Sequence, residues 1–280
     1  MMPRLIDTHA HLDSDIYARE LDHIVKRAHD DGIWIVTIGN DYESSVRAVA
    51  LAERYPEGVY AAIGLHPSKV DDNAFAEDKL VDFELFRKLA AHPKVVALGE
   101  TGLDYADVAE EPRIAVAHQE AMRIKHNQRT AFGAFLQLSR EFRLPLMLHC
   151  REAHEEMLGM LEDWSEASVG FDARGIVHCF SGTWQQARRY YNLDFGISFT
   201  GTMAHGAYQV DILKKSPESR IAVESDCPFL TAMPWGIRRS EPAYLDIVAR
   251  SVAALRGVAP EVLARTTTEN VLRMLKRIKV

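Results

Sequence analysis

Eight short apolar runs, separated by longer stretches with helical periodicity, constrain the fold of this 280-residue chain more than any other feature. Strand-like runs that alternate with helical segments are typical of an α/β domain built on a parallel sheet. The predicted strands are residues 4–9, 33–39, 59–65, 95–100, 144–149, 174–179, 193–199 and 220–225. The predicted helices are residues 17–31, 42–54, 78–91, 113–142, 151–163, 183–191, 207–215, 241–255 and 260–277.

The strand count favours a (β/α)8 TIM barrel, because eight parallel strands close such a barrel. A doubly wound open sheet is the rival fold, but no G-x-G-x-x-G motif follows the first predicted strand. We find no internal repeat, low-complexity tract or linker in the sequence. We therefore expect residues 1–280 to form a single domain, as barrels of about 250 residues commonly do.

Composition argues against several classes of protein. No apolar run approaches the roughly 20 residues that span a bilayer, so we expect no membrane association. Asp7 and His9 interrupt the first apolar segment, which argues against a signal peptide. Three scattered cysteines without a C-x-x-C pair favour a reducing, cytoplasmic location. The net charge of −7 argues against a non-specific nucleic-acid coat, but not against an enzyme that meets phosphate through metal ions.

Potential metal ligands follow the predicted strands at their C-terminal ends, where barrel enzymes place their sites. His9 and His11 lie two apart at the end of the first strand, so both side chains can face one ion. Four further strands end in Glu100, His149, His178 and Asp226. A lone His-x-His pair is more often two ordinary polar residues, and a single strand-end histidine is often a core residue. Six ligands on one rim instead suit two ions about 3.5–4 Å apart that share a bridging carboxylate.

Two carboxylates lie one layer below these ligands. Asp7 shares its predicted strand face with His9 and His11, and Glu224 stands in the same relation to Asp226. Such buried carboxylates orient metal-binding histidines in many proteins. They can equally satisfy neighbouring backbone or side-chain groups, and the sequence leaves both roles open.

Six motifs together resemble the TatD family of metal-dependent deoxyribonucleases, within the amidohydrolase superfamily. They are IDTHAHLD (6–13), GLHP (64–67), GETGLDY (99–105), LHCREA (148–153), HCFSG (178–182) and ESDCP (224–228). The resemblance covers almost the whole chain, and the order and spacing of the motifs are specific. Glu100 stands where many amidohydrolases carry a carbamylated lysine, which fits the TatD branch.

The resemblance also implies roles for the ligands. The first metal ion would be held by His9, His11, Glu100 and Asp226. The second would be held by Glu100, His149 and His178. Asp226 would in addition align or deprotonate the attacking water, which makes Asp226 and Glu100 the candidate catalytic residues.

Candidate substrate contacts are less specific. Arg151 shares a strand face with His149 and could contact a phosphate, as could Arg238 or Arg239, although at least one of this pair is expected to be solvated surface charge. His66 ends the third strand facing inward and could donate to substrate or cap a turn at the following proline.

Two features depart from the family pattern. Ser240 replaces the asparagine of the family's Arg-Asn-Glu-Pro segment, which puts substrate contacts there in doubt. Residues 106–128 form a longer segment than the family suggests, and it is expected to border the mouth of the barrel.

The leading hypothesis is hydrolysis of phosphodiester bonds in DNA, from a single-stranded region or strand end, with two divalent metal ions. Four histidines favour Zn²⁺ or Mn²⁺, whereas phosphodiesterases of this kind often use Mg²⁺. The alternative is a metal-dependent ester or amide hydrolase, such as the TatD-like proteins that remove D-amino acids from tRNA. A third hypothesis, an inactive barrel that serves as a binding scaffold, is opposed by the six competent ligands. Metal identity, strand polarity, DNA versus RNA and oligomeric state stay open.

Overall fold

In a computed structural model, which describes residues 2–70, 83–108, 115–168, 170, 174–201, 207–230 and 239–280, eight parallel strands pair in the order of the sequence. They are β1 (Leu5–Ala10), β2 (Ile33–Ile38), β3 (Val59–Ile63), β4 (Val95–Asp104), β5 (Leu146–Arg151), β6 (Gly175–Val177), β7 (Phe195–Phe199) and β8 (Ile221–Val223). The chain just after β8 returns to the end of β1. There the His11 N–H donates to the Cys227 carbonyl (2.8 Å) and the Asp226 N–H to the His9 carbonyl (2.9 Å). The predicted (β/α)8 TIM barrel is therefore confirmed.

Helices alternate with the strands around the outside of the barrel. They are α1 (Leu21–Asp30), α2 (Tyr42–Glu53), α3 (Phe83–Ala90), α4 (Ala115–Phe142), α5 (His154–Glu166), α6 (Trp184–Asn192), α7 (Ala207–Lys215), α8 (Leu245–Arg256) and α9 (Pro260–Met274). Helix α1 begins later than predicted, because Asp15–Tyr17 forms a separate 3₁₀ turn. None of the helices in the described part of the chain is long and apolar enough to cross a membrane.

One end of the barrel is closed by α9. Its Val271 and Met274 pack with inward-facing apolar side chains of the strands, including Ile6, Val36 and Met147. The segment after α9 runs past the start of β4, where Arg277 donates to the carbonyl oxygen of Val95 (3.1 Å). Because this covers the N-terminal ends of the strands, the site can open only at the C-terminal ends. That residues 1–280 form one domain stays a prediction.

Strand bounds differ from the predicted ones where the site begins. β4 continues four residues beyond its predicted end, and this extension pairs Gly102 with His149 and Asp104 with Arg151. β8 ends at Val223, so the residues predicted to lie on its last positions occupy the following turn. Of the long 106–128 segment, residues 109–114 lie outside the described residues, as do residues 78–82 of the predicted third helix.

Candidate metal centre

Five of the six predicted ligands surround the carboxylate of the sixth, Glu100, a buried residue in the middle of β4. Its Oε2 lies 3.3 Å from Nε2 of His9 and 3.8 Å from Nε2 of His11. Its Oε1 lies 2.7 Å from Nδ1 of His149 and 2.8 Å from Nε2 of His178. The two oxygens of one carboxylate thus face two different pairs of imidazoles, which is the arrangement that a bridging ligand needs.

The first group of ligands has the spacing of a small coordination shell. Nε2 of His9 and Nε2 of His11 lie 3.1 Å apart, and Asp226 Oδ1 lies 3.9 Å and 3.6 Å from them. Four ligand atoms placed tetrahedrally at about 2.0–2.1 Å from Zn²⁺ are separated by roughly 3.4 Å. The observed separations bracket that value, so these residues fit a divalent cation.

The second group is more compact and includes a residue beyond the predicted ligands. Nδ1 of His149 lies 3.2 Å from Nε2 of His178, and Nε2 of His66 lies 3.3 Å from the same Nδ1. Nδ1 of His66 accepts a hydrogen bond from the Ser68 N–H (3.0 Å), so His66 caps the turn that follows it. Because Nδ1 is an acceptor, the neutral ring carries its proton on Nε2, which points into the site. His66 therefore presents a donor to the second group, and both roles predicted for it are compatible with its position.

Asp104 orients His149 from the side opposite Glu100. Its Oδ2 lies 2.9 Å from Nε2 of His149, which holds the imidazole proton on Nε2 and leaves the Nδ1 lone pair facing Glu100. The sequence did not single out Asp104, although it lies within the GETGLDY motif. The signal would have been the parallel register of β4 with β5, which the predicted end of β4 cut short.

Glu224 occupies the corresponding place behind His178. Its Oε1 lies 3.5 Å from Nδ1 of His178 and accepts the N–H of Cys179 (2.7 Å). Its Oε2 accepts hydrogen bonds from the hydroxyls of Ser198 and Thr8. Glu224 thus satisfies neighbouring groups and lies beside a candidate ligand, so its position is compatible with both of the roles left open by the sequence.

Asp7 has only the second of those roles. Its Oδ1 accepts the backbone N–H of Ser225 (2.9 Å) and of His9 (3.2 Å), and its Oδ2 accepts the Ser225 hydroxyl. Burial raises the pKa of Asp7 to about 7. The carboxyl group therefore fastens β1 to the turn after β8 and makes no hydrogen bond to an imidazole.

Asn40, at the end of β2, lies behind His11. Its amide nitrogen is 3.3 Å from Nδ1 of His11, while its Oδ1 is buried without a hydrogen-bond partner. Rotating this amide by half a turn lets Oδ1 accept the Nδ1 proton and leaves Nε2 of His11 free to bind a cation.

The charges of the centre are arranged to receive cations. Burial alone would raise the pKa of Glu100, but His178 and His9 outweigh it and hold that pKa well below its usual value. Burial would lower the pKa of His178, but Glu100 raises it well above its usual value. Burial also opposes ionisation of Asp226, yet His11 and His9 lower its pKa. The raised pKa values of His149 and His178 favour protons on these two imidazoles without cations, and cation binding would release them.

The family is decided by comparison with known proteins. A model of the family described as TatD related DNase matches residues 6–276. The chain belongs to this TatD family. It is 35% identical over 275 residues to the uncharacterized metal-dependent hydrolase YabD of Bacillus subtilis, covering 97% of this chain and 99% of that protein. It is 30% identical to the 3'-5' ssDNA/RNA exonuclease TatD of Erwinia billingiae, covering 97% and 99%.

A solved structure gives the same result. The crystal structure of YjjV, a TatD homologue from Escherichia coli k12, superposes with a TM-score of 0.83 and 26% identity over 99% of both chains. The protein is therefore a metal-dependent hydrolase of the TatD family, and the recognition made from its six motifs is confirmed.

The three arginines predicted as possible substrate contacts differ in how far the structure leaves their charge available. Arg151 is exposed at the end of β5 and makes no ion pair within the described residues, so its charge is available at the mouth. Arg238 lies outside the described residues. Arg239 is already engaged, because it pairs with Glu20 (2.7 Å) and its guanidinium lies 5.0 Å from the ring centroid of Tyr17.

Ser240, which departs from the TatD pattern, lies in a segment that packs against the start of the chain. It is buried, and its carbonyl oxygen accepts a hydrogen bond from the Tyr17 hydroxyl. The next residue, Glu241, is also buried and accepts two hydrogen bonds from Arg27, at 3.0 and 2.6 Å. This segment therefore anchors the end of the β8 loop to α1 and the turn before it.

Proposed function

We propose that this TatD-family hydrolase cleaves phosphodiester bonds at an end of single-stranded nucleic acid, DNA in the first instance, with two divalent cations bound around Glu100. The divided carboxylate of Glu100 carries the proposal, with Oε2 near His9 and His11 and Oε1 near His149 and His178. The name of the Erwinia billingiae relative, an exonuclease of single-stranded DNA and RNA, supports this substrate class.

The distances given above support the two ligand sets that the family resemblance implies. His9, His11, Glu100 and Asp226 would hold one cation, and Glu100, His149 and His178 would hold the other. When bound, the pair would lower the pKa of a water between them and neutralise the phosphoryl oxygens in the transition state. Mg²⁺, Mn²⁺ and Zn²⁺ are all compatible with these nitrogen and oxygen ligands.

Asp226 would be the group that manages the attacking water. Its neighbours His11 and His9 keep its pKa low despite burial, so the carboxylate is ionised and can accept a hydrogen bond or a proton from that water. Glu100 would stay ionised between the two ligand pairs throughout. Asp226 would therefore accept the proton of the water, whereas Glu100 would bridge the two cations.

His66 and Arg151 would contact the substrate. Burial lowers the pKa of His66 to about 4, so its ring is neutral near pH 7 and its Nε2–H donates to a phosphoryl oxygen. Arg151 would add an exposed positive charge at the mouth, which matters because the chain as a whole carries a net charge of −7. Arg238 is a further candidate on the strength of the sequence.

End-labelled oligonucleotides test the proposal. Protein incubated with Mg²⁺ or Mn²⁺ and with 5′- or 3′-labelled single-stranded DNA should shorten the strand from one end. EDTA and the Asp226→Asn variant should abolish the shortening, whereas Asp107→Asn, which removes an exposed carboxylate from the loop after β4, should not. A metal-loaded protein that leaves single-stranded DNA and RNA intact would contradict the proposal. D-Aminoacyl-tRNA would then be the next substrate to test, as the ester alternative predicts.

A further inference from the structure

Phe229 is the one aromatic residue among the described phenylalanines, tyrosines and tryptophans whose side chain is largely exposed, at 65%. It lies three residues after Asp226, in the turn that follows β8. Its ring centroid is 5.2 Å from that of His11, with an angle of 68° between the ring planes. An uncovered apolar ring therefore stands directly beside a candidate metal ligand.

The position of Phe229 is set by the turn that also positions Asp226. The N–H of Phe229 donates to the Asp226 carbonyl (3.0 Å), and the N–H of Leu230 approaches the same oxygen (3.3 Å). Cys227, two residues before Phe229, is fully buried and pairs with Ala10 at the end of β1. The backbone of the turn is thus tied to the barrel, so the exposed ring is held at the rim near the metal centre.

The position of the Phe229 ring beside the metal centre favours a nucleobase as the group that covers it. Each nucleotide places its base within one sugar unit of its phosphate, so a phosphate at the metal centre brings a base to the rim. Every nucleobase has a flat π-face, and stacking on an aromatic side chain tolerates any sequence. A base at the end of a duplex is held by its paired partner and must be unpaired to turn towards the ring, whereas the last base of a single strand is free to do so.

We propose that Phe229 stacks on the unpaired base of the nucleotide whose phosphate lies at the metal centre, and so selects single-stranded ends. This inference rests on the proposed function and adds a specificity-determining residue to it. His11 supports one side of the ring through the edge contact, and the exposed part receives the base. The contact needs no charge, which suits a chain whose net charge is negative.

The test combines a protein change with a substrate change. Degradation of single-stranded oligonucleotides would be compared for the wild type, Phe229→Ala and Phe229→Trp, with the base at the cleaved nucleotide either present or removed. Phe229→Ala should raise KM about tenfold or more on the normal strand while leaving kcat within about twofold. Phe229→Trp should keep the wild-type KM. Removing the base should cost the wild type a similar factor and cost Phe229→Ala little.

Two controls isolate the stacking effect. Val262→Ala removes another exposed apolar side chain, at the start of α9, and should leave KM unchanged. The metal content of Phe229→Ala should equal that of the wild type, which shows that His11 has kept its place.

The remaining outcomes separate this inference from the proposed function. A Phe229→Ala variant that degrades the normal strand with wild-type KM overturns the stacking role and leaves the nuclease proposal intact. Equal losses for the abasic strand with both proteins overturn it as well, because the base and the ring then act independently. A metal-loaded wild type that cuts no oligonucleotide overturns both proposals together.

Discussion

Asp104 Oδ2 lies 2.9 Å from Nε2 of His149, so the ring presents its Nδ1 to Glu100 at 2.7 Å. Replacing Asp104 with Ala would free the imidazole to rotate and to change tautomer. We expect metal affinity to fall about 10–100-fold at one of two sites, since partners of this kind commonly contribute that factor. Calorimetric titration with Mn²⁺ would show one weakened and one unchanged step.

The matched control is Asp107→Ala, which removes an exposed carboxylate three residues further along the chain, in the loop after β4. It should bind both ions as the wild type does. If Asp104→Ala also binds both ions unchanged, the hydrogen bond to His149 has no part in the centre.

Asp104 also shows why candidate ligands are easier to predict from the sequence than the residues that contact them. Each ligand follows an apolar strand and is visible from the strand end alone. Asp104 lies beyond two glycines, Gly99 and Gly102, at which the backbone has φ of 151° and 148°. These glycines break the alternation that marks a strand, so the last part of β4 was not predicted. The contact with His149 then depends on pairing between strands, which spacing along the chain does not reveal.

Asn40 and Asp7 also show that the sequence does not reveal contacts between strands. Asn40 lies two residues after β2 without any motif around it, and the pairing of β1 with β2 brings it to His11 at 3.3 Å. Asp7 belongs to the strongest motif, yet its oxygens accept backbone N–H groups of Ser225 and His9. Strand parity predicts which face a carboxylate shares, but it cannot tell which neighbouring donors reach that carboxylate.

Cations should stabilise the fold through Glu100. Its pKa lies well below the usual value because His178 and His9 outweigh the effect of burial, so the carboxylate is charged and ready to bridge. A cation at about 100 times its Kd adds about 2.7 kcal/mol to the free energy of unfolding, or roughly 5–10 °C in Tm for a chain of this size. Glu100→Gln removes the bridging charge and should abolish most of this rise. Thermal unfolding with Mn²⁺ and with EDTA measures it, and an equal rise in the variant would exclude Glu100 as the bridge.

Arg27 and its neighbour Lys26 form ion pairs that should contribute very different amounts to the free energy of unfolding. Arg27 pairs with Glu241, whose side chain is 6% exposed, whereas Lys26 pairs with Asp30 where the side chains are 67% and 60% exposed. Arg27→Ala leaves a buried carboxylate without its two hydrogen bonds, so we expect a loss of about 2 kcal/mol in the free energy of unfolding. Lys26→Ala should cost less than about 0.5 kcal/mol, because solvent already screens that pair. Urea denaturation compares the two variants. Similar losses would show that burial of Glu241 does not strengthen its ion pair with Arg27.

Gly102 on β4 pairs with His149, the candidate metal ligand on β5. Its φ is 148°, and a Cβ added there would collide with the carbonyl oxygen of His149 and come within 2.7 Å of the Met157 side chain. Gly102→Ala should therefore destabilise the protein by at least about 2 kcal/mol, from backbone strain and overpacking together. Because the clash moves the backbone of His149, binding of the second cation should weaken as well. Urea denaturation and Mn²⁺ titration measure the two effects.

Gly133, in the middle of α4, provides the control of opposite sign. A Cβ there meets no atom within 4 Å, and its backbone is helical. Gly133→Ala should raise the free energy of unfolding by about 0.5–1 kcal/mol, because alanine has the higher helix propensity, and should leave cation binding unchanged. If Gly102→Ala were tolerated as well as Gly133→Ala, the close approach of β4 to His149 would not be what positions that ligand.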